Sequence, residues 1–265
     1  MKFLDVIQII GEEIKQEQLS EARKALYKEL RSIHKENYED KGVIYYYIII
    51  TFLREKKNLT YSIILEYLKK MLYAFEKQEE KYKKVLKKTK EENNKARQKL
   101  ILIQLKAFYK LMDKYLSSLA RLFKSKGLSD MSSKIYVTKM DYRKRNLLLE
   151  GKYISFIGYC ILKITSNYGE SFLRWGITTV FMIIIFGLFM SVIDTLDGVF
   201  IFNKSKYPIE FLFNYIYFSG VTFTTLGYGD IVPVGVLEKT IALIEAFGGY
   251  IMLGMFINLV QKKLK

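Results

Sequence analysis

Thr224-Thr225-Leu226-Gly227-Tyr228-Gly229-Asp230 sets two glycines at alternate positions between a pair of hydroxyls and a carboxylate. Taken alone, Gly227-Tyr228-Gly229-Asp230 fits an ordinary turn between strands, because glycine and aspartate both suit turn backbones. Its surroundings argue against that reading. Phe211 to Thr222, just before it, is an apolar and aromatic run that reads as a helix about 18 Å long. Such a helix is too short to cross a bilayer and suits a re-entrant element. Its C-terminal end, the negative end of the helix dipole, then points toward the glycine segment. On one side of this unit, Trp175 to Ile193 gives 19 residues without a charge, enough for about 28 Å of helix. On the other, Thr240 to Val260 gives 21 residues with Glu245 as the one charge, or about 32 Å. The order is span, short helix, glycine segment, span, and a soluble strand-turn-strand unit gives no reason for it.

In this context the segment resembles the selectivity filter of two-transmembrane potassium channels of the bacterial type. The resemblance covers about Arg174 to Val260, roughly a third of the chain. It implies an all-α fold: a pore module (173–265) with spans at 175–193 and 237–260, a re-entrant pore helix at 211–222 and a filter at 224–230, preceded by a soluble helical domain. It further implies that backbone carbonyls of Thr225, Leu226, Gly227 and Tyr228 replace the water shell of K+, with the Thr225 hydroxyl adding a ring at the inner end. Gly227 and Gly229 suit alternate positions where a row of carbonyls must turn to one axis. Leu226 stands where Val is commoner, a change that bears on packing because the ligand is a carbonyl.

Thr224, Tyr217, Phe218 and Asp230 are the implied filter support, with Tyr217, Phe218 and Tyr228 as an aromatic collar. Val221 stands where some family members carry a pore-helix acid, so Asp230 needs another donor, Tyr217 or water. Gly248-Gly249 align with the family's gating hinge; a close helix contact of the small-residue kind is a compatible reading. One chain supplies a quarter of such a filter, which implies a homotetramer. No cofactor is implied beyond K+ as the permeating ion. An Arg-rich voltage-sensing helix is absent from the sequence. Glu245, an ionisable residue inside a span, is a functional candidate by its position. It is expected to face the pore helix or the cavity, either protonated or hydrogen-bonded to a group such as Thr222 or Thr224; a polar contact between subunits is the other reading.

The charge is unevenly spread. From Ser171 onward there are seven basic and six acidic residues, which leaves 36 and 21 of the totals of 43 and 27 for residues 1–170. That N-terminal part contains no proline and long mixtures of Leu, Ile, Tyr, Lys and Glu, a composition that favours helices. Leu4, Ile7, Ile10 and Ile14 recur at helical spacing, and Leu19, Leu26 and Leu30 continue the same helix or start a second. Val43 to Leu53 reads as a buried core helix. Thr60 is a candidate cap for a helix through Ile64, Leu68, Leu72 and Phe75. Asn93-Asn94 is a break, Leu100 to Lys124 an amphipathic helix ending near Gly127, and Ser132 to Leu147 a further helix. Stacked pairs of this kind suggest tetratricopeptide-like packing, although no 34-residue self-similarity is visible.

The domains are therefore expected at 1–146 (cytoplasmic, helical), 147–172 (a linker helix in the membrane interface, with Lys152, Lys163 and several tyrosines) and 173–265 (pore). No cleavable leader is expected from Met1 to Gly11. Basic residues before the first span (Lys152, Lys163, Arg174) and after the second (Lys262, Lys263, Lys265) outweigh Lys204 and Lys206 between them. Both termini are thus expected in the cytoplasm, with the protein in the plasma membrane. Cys160 excludes an intrachain disulfide, and His34 reads as solvated within a charged helical stretch. No catalytic constellation of His, Cys or paired acids is present, so the chain is not read as an enzyme. Expected partners are membrane lipid, three further copies of the chain, and an anionic ligand or protein on the basic N-terminal domain; nothing resembles a nucleic-acid module. The rival reading is a membrane-anchored helical scaffold or sensor with a non-conducting or weakly selective pore.

Overall fold

The computed structural model describes residues 3–15, 18–55, 61–197, 200–201 and 208–264. They form two compact units, Met1–Phe156 and Ile157–Lys265. The candidate cap Thr60 and the basic residues Lys204, Lys206 and Lys265 lie outside the described residues.

Six helices make up the described part of the first unit: α1 (Phe3–Lys15), α2 (Leu19–Ser32), α3 (Tyr38–Arg54), α4 (Tyr61–Glu91), α5 (Lys95–Ser125) and α6 (Ser129–Leu149). Each packs on its neighbour in the chain, and α3 also meets α1 and α5. The apolar run seen in sequence explains that central place, because α3 buries Ile44, Ile48, Ile49 and Leu53 completely. Each such side chain contributes about 1.5–3 kcal/mol. Gly42 lets α4 come close, since a Cβ there would lie 2.2 Å from the Phe75 ring. Leu19, Leu26 and Leu30 fall on a separate helix from Ile7, Ile10 and Ile14.

The helix boundaries have local causes. Asn93 takes φ 52, and the Asn94 side chain accepts from Arg97 N at 3.0 Å, which separates α4 from α5. After α5, Gly127 takes φ +75 and Leu128 N donates to Phe123 O at 2.9 Å, a Schellman cap. His34 lies in the exposed turn between α2 and α3 rather than in a helix, because α3 starts anew from the Asn37 cap. The helices, at 13, 14, 17, 31, 31 and 21 residues, do not pair into equal 34-residue repeats.

Buried polar groups tie the long helices together. Glu79 on α4, 2% exposed, accepts from Tyr109 Oη of α5 at 2.8 Å and is ion-paired with Lys83 at 2.6 Å and with Arg145 of α6. Arg143 of α6 forks onto Asp113 of α5, with one arm at 2.9 Å. A carboxylate so shared keeps its lone pairs filled, the condition for burying charge without large cost.

α7 (Tyr153–Ser166) runs across the division between the units. The second unit continues with α8 (Phe172–Asp197), β1 (Phe200–Ile201), α9 (Pro208–Phe223), β2 (Val232–Pro233) and α10 (Val236–Leu264). Among the described residues, two stretches are long and apolar enough to cross a membrane: Phe172–Asp194 and Val236–Gln261. Only 17% and 22% of their apolar windows are buried, so neither is the core helix of a soluble protein. Exposed Ile177, Val180, Phe181 and Phe189 on α8 present a surface suited to lipid.

Contacts fix the direction of α9. Ile183 meets Ser219, Gly187 meets Ile216 and Asp194 meets Tyr215, so α9 runs back along α8. Glu245 meets Ser219 and Gly249 meets Phe223, so α10 runs in the same sense as α9. The end of α9 therefore lies beside a point about 20 Å along α10 from Val236, and residues 224–235 climb back over that depth. The short helix is re-entrant. At the far end, Phe200 and Ile201 pair antiparallel with Pro233 and Val232 and close the loop.

Candidate functional site: the segment after the re-entrant helix

Residues 224–230 follow α9 directly, and every one of them is exposed in the single chain, Leu226 at 61% and Tyr228 at 68%. Positive φ alternates along the segment, at Thr225 (φ 60), Gly227 (φ 59) and Gly229 (φ 76), while Leu226 and Tyr228 stay outside that region. In an extended strand, successive carbonyls point to opposite sides. Alternating left-handed residues rotate every second peptide and bring them toward one side. Glycine takes that conformation freely, whereas Thr225, being β-branched, is strained by it. Leu226 N reaches Val221 O at 3.0 Å, which makes Thr225 the left-handed residue of a Schellman-type cap on α9, a place glycine usually takes.

The flanking residues are held from α9. Tyr217 Oη donates to Asp230 Oδ2 at 2.7 Å, so of the two expected partners of Asp230, Tyr217 or water, Tyr217 is in contact with it. Thr224 Oγ1 donates back to Gly220 O at 2.6 Å. Of the aromatic trio, Tyr228 faces outward and Tyr217 is half-buried. Phe218 instead packs inward with Tyr215, Met190, Ile193 and Ile241. Within one chain the three do not form a collar.

Glu245 is fully buried and faces α9, but its partner is Ser219, one turn earlier than the expected Thr222 or Thr224. Thr224 is engaged with α9's own backbone, and the parallel course of α9 and α10 puts Ser219 level with Glu245. The two adjacent glycines of α10 differ. A Cβ on Gly249 would lie 1.8 Å from Phe223 O, so this residue is a close-contact glycine. A Cβ on Gly248 would meet nothing within 4 Å in the single chain.

Several contacts escaped the sequence reading. Gly187 brings α8 against the α9 backbone, with a built Cβ 2.9 Å from Ile216 Cα. Tyr215 donates to buried Asp194 near the end of α8. At the opposite end, Trp175 Nε1 donates to Met252 O at 3.0 Å, and the indole lies 4.8 Å from the Phe256 ring. The one available signal was compositional: Asp194, Ser219 and Trp175 are polar or amphipathic groups inside apolar helices and need partners.

Residues 178–265 match the ion-channel family model Ion_trans_2. Protein LctB of Bacillus caldotenax is 44% identical over 50 residues, which is 19% of this chain and 37% of that protein's length. The match thus spans little more than a third of that curated relative. No solved structure matches the chain. Two membrane-length helices, the re-entrant helix between them and the family match agree: residues 178–265 belong to the two-transmembrane-helix ion-channel family.

Proposed function

We propose that the chain forms a passive potassium-selective channel in the cell membrane, a homotetramer with four copies of residues 224–230 around one axis. The observation that carries this reading is the alternating positive φ at Thr225, Gly227 and Gly229, in a segment returned to mid-membrane depth by a re-entrant helix. Carbonyls of Thr225, Leu226, Gly227 and Tyr228 hold dehydrated K+ in successive rings, and the Thr225 hydroxyl adds the innermost ring. The exposure of Leu226 and Tyr228 in one chain leaves them free to meet neighbouring copies. Closed fourfold symmetry supplies those neighbours.

Both termini lie in the cytoplasm in this reading, since the basic residues flank the outer ends of the two-span unit. α7 lies in the membrane interface on that side: Ile154, Ile157, Ile161 and Ile164 are all more than half exposed, and residues 151–169 carry Lys152 and Lys163 with no acid. The first unit gates the pore in response to an anionic ligand, lipid or protein attracted by its excess of basic residues. Such a ligand acts by binding the open and closed arrangements unequally. The test is potassium efflux from liposomes containing the purified full chain, against empty liposomes and liposomes loaded with sodium. Efflux of potassium but not sodium supports the reading, and no efflux in either case refutes it.

A further inference from the structure

The junction of α8, α9 and α10 holds a buried carboxyl for which conduction through carbonyls has no use. Ser219 Oγ lies 2.8 Å from Ile183 O on α8 and within hydrogen-bonding distance of Glu245 Oε1 on α10. Both side chains are completely buried. A hydroxyl has a single proton, yet two oxygens contact it here. The Ile183 carbonyl cannot donate, so the Ser219 proton belongs to that contact. The contact with Glu245 is then a hydrogen bond only if the carboxyl supplies a proton of its own.

The opposite assignment, Ser219 donating to a carboxylate, leaves the Ile183 and Ser219 oxygens at 2.8 Å with no proton between them. It also leaves a buried anion with one hydrogen bond, because Glu245 Oε2 has no partner among the described residues. No cation is close in sequence to offset it: Lys239 and Lys262 are the nearest on α10, and α8 carries only Arg174. A protonated carboxyl removes both faults and leaves at most a neutral oxygen short of one bond.

We infer that Glu245 acts in its protonated form as a positioning residue for the filter. It donates to Ser219, and Ser219 donates to Ile183, so two hydrogen bonds in series join all three helices. Ser219 is five residues before Thr224, and Gly249, one turn beyond Glu245, seats the last carbonyl of α9. The end of α9, from which the filter starts, is thereby fixed at two successive points. This inference rests on the channel reading for its consequence and on hydrogen-bond geometry alone for the proton.

The experiment combines infrared spectroscopy and potassium efflux on the full chain in liposomes at neutral pH. Wild type shows a protonated-carboxylic-acid band that is missing in Glu245→Gln. Glu245→Ala and Ser219→Ala lose about tenfold or more of the selective flux, and Glu245→Gln, whose amide donates in place of the acid, restores it to within about twofold. Absence of the band from wild type overturns the inference, as does a Glu245→Gln variant as impaired as Glu245→Ala. If the alanine variants fail to fold, the wild-type band still decides. If wild type conducts no ion, the channel reading fails while the band separately decides the protonation.

Discussion

Thr225 is the one β-branched residue at positive φ among the described residues, and it lies where the re-entrant helix gives way to the glycine segment. Left-handed backbone costs a side-chain-bearing residue about 1–2 kcal/mol. Strain of this kind gathers at functional sites. The same strain applies to its neighbours: Gly227→Ala or Gly229→Ala puts about 1–2 kcal/mol of strain into each chain and misaims the carbonyls. Loss of potassium-over-sodium selectivity with assembly retained is the expected outcome, measured by ion flux and by size in detergent. Gly248 and Gly249 separate more sharply. Gly249→Ala drives a methyl into Phe223 O and is expected to destabilise the protein by about 1–3 kcal/mol or more, whereas Gly248→Ala stays within about 0.5 kcal/mol. Thermal melts of the two variants check this. The glycine segment was legible in sequence because its signal is local. Ser219 and Gly187 were not, since their roles depend on which turn of one helix lies beside which turn of another.

At the scale of helices, hydrophobic spacing was a good guide wherever a local stop signal accompanied it. Asn93-Asn94 and Gly127 both mark real boundaries, each with a side-chain or backbone cap. The buried charge network around Glu79 was invisible, because Glu79, Tyr109 and Arg145 come from three different helices. Burial, reinforced by the neighbouring Glu79, pushes the Tyr109 hydroxyl well above its ordinary range, so it stays a donor. Glu79→Ala leaves that hydroxyl and Arg145 without an acceptor, and about 3 kcal/mol of stability is expected to go with it. Denaturant unfolding of the full chain followed by tyrosine fluorescence measures this.

Glu39 on α3 gives a pH dependence within the same unit. Burial pushes its carboxyl up, against the Tyr82 hydroxyl that donates to it at 3.0 Å, with Asp40 adding to the rise. A carboxyl raised on folding holds its proton more tightly in the native state. Its contribution is therefore full below the unfolded pKa and falls as pH rises through the folded one. Glu39→Gln is expected to flatten the stability profile across the window just above the ordinary carboxylate range. An unchanged slope in that variant would assign the dependence to another group.

For the whole molecule, charge and hydropathy alone separate a basic N-terminal part from a nearly neutral two-span part. The proposed action of the first unit on the pore rests on composition, which names an anionic partner class without a site. A chain shortened to begin at Ser166 is expected to conduct with altered open probability and without response to anionic lipid. Identical open probability and lipid response would leave the first unit no part in gating. The central claim meets its most direct test in planar bilayers, with potassium on one side of the full-length protein and sodium on the other. A selective filter predicts a reversal potential displaced strongly toward the potassium equilibrium potential; a reversal potential near zero, with current carried by both ions, contradicts it.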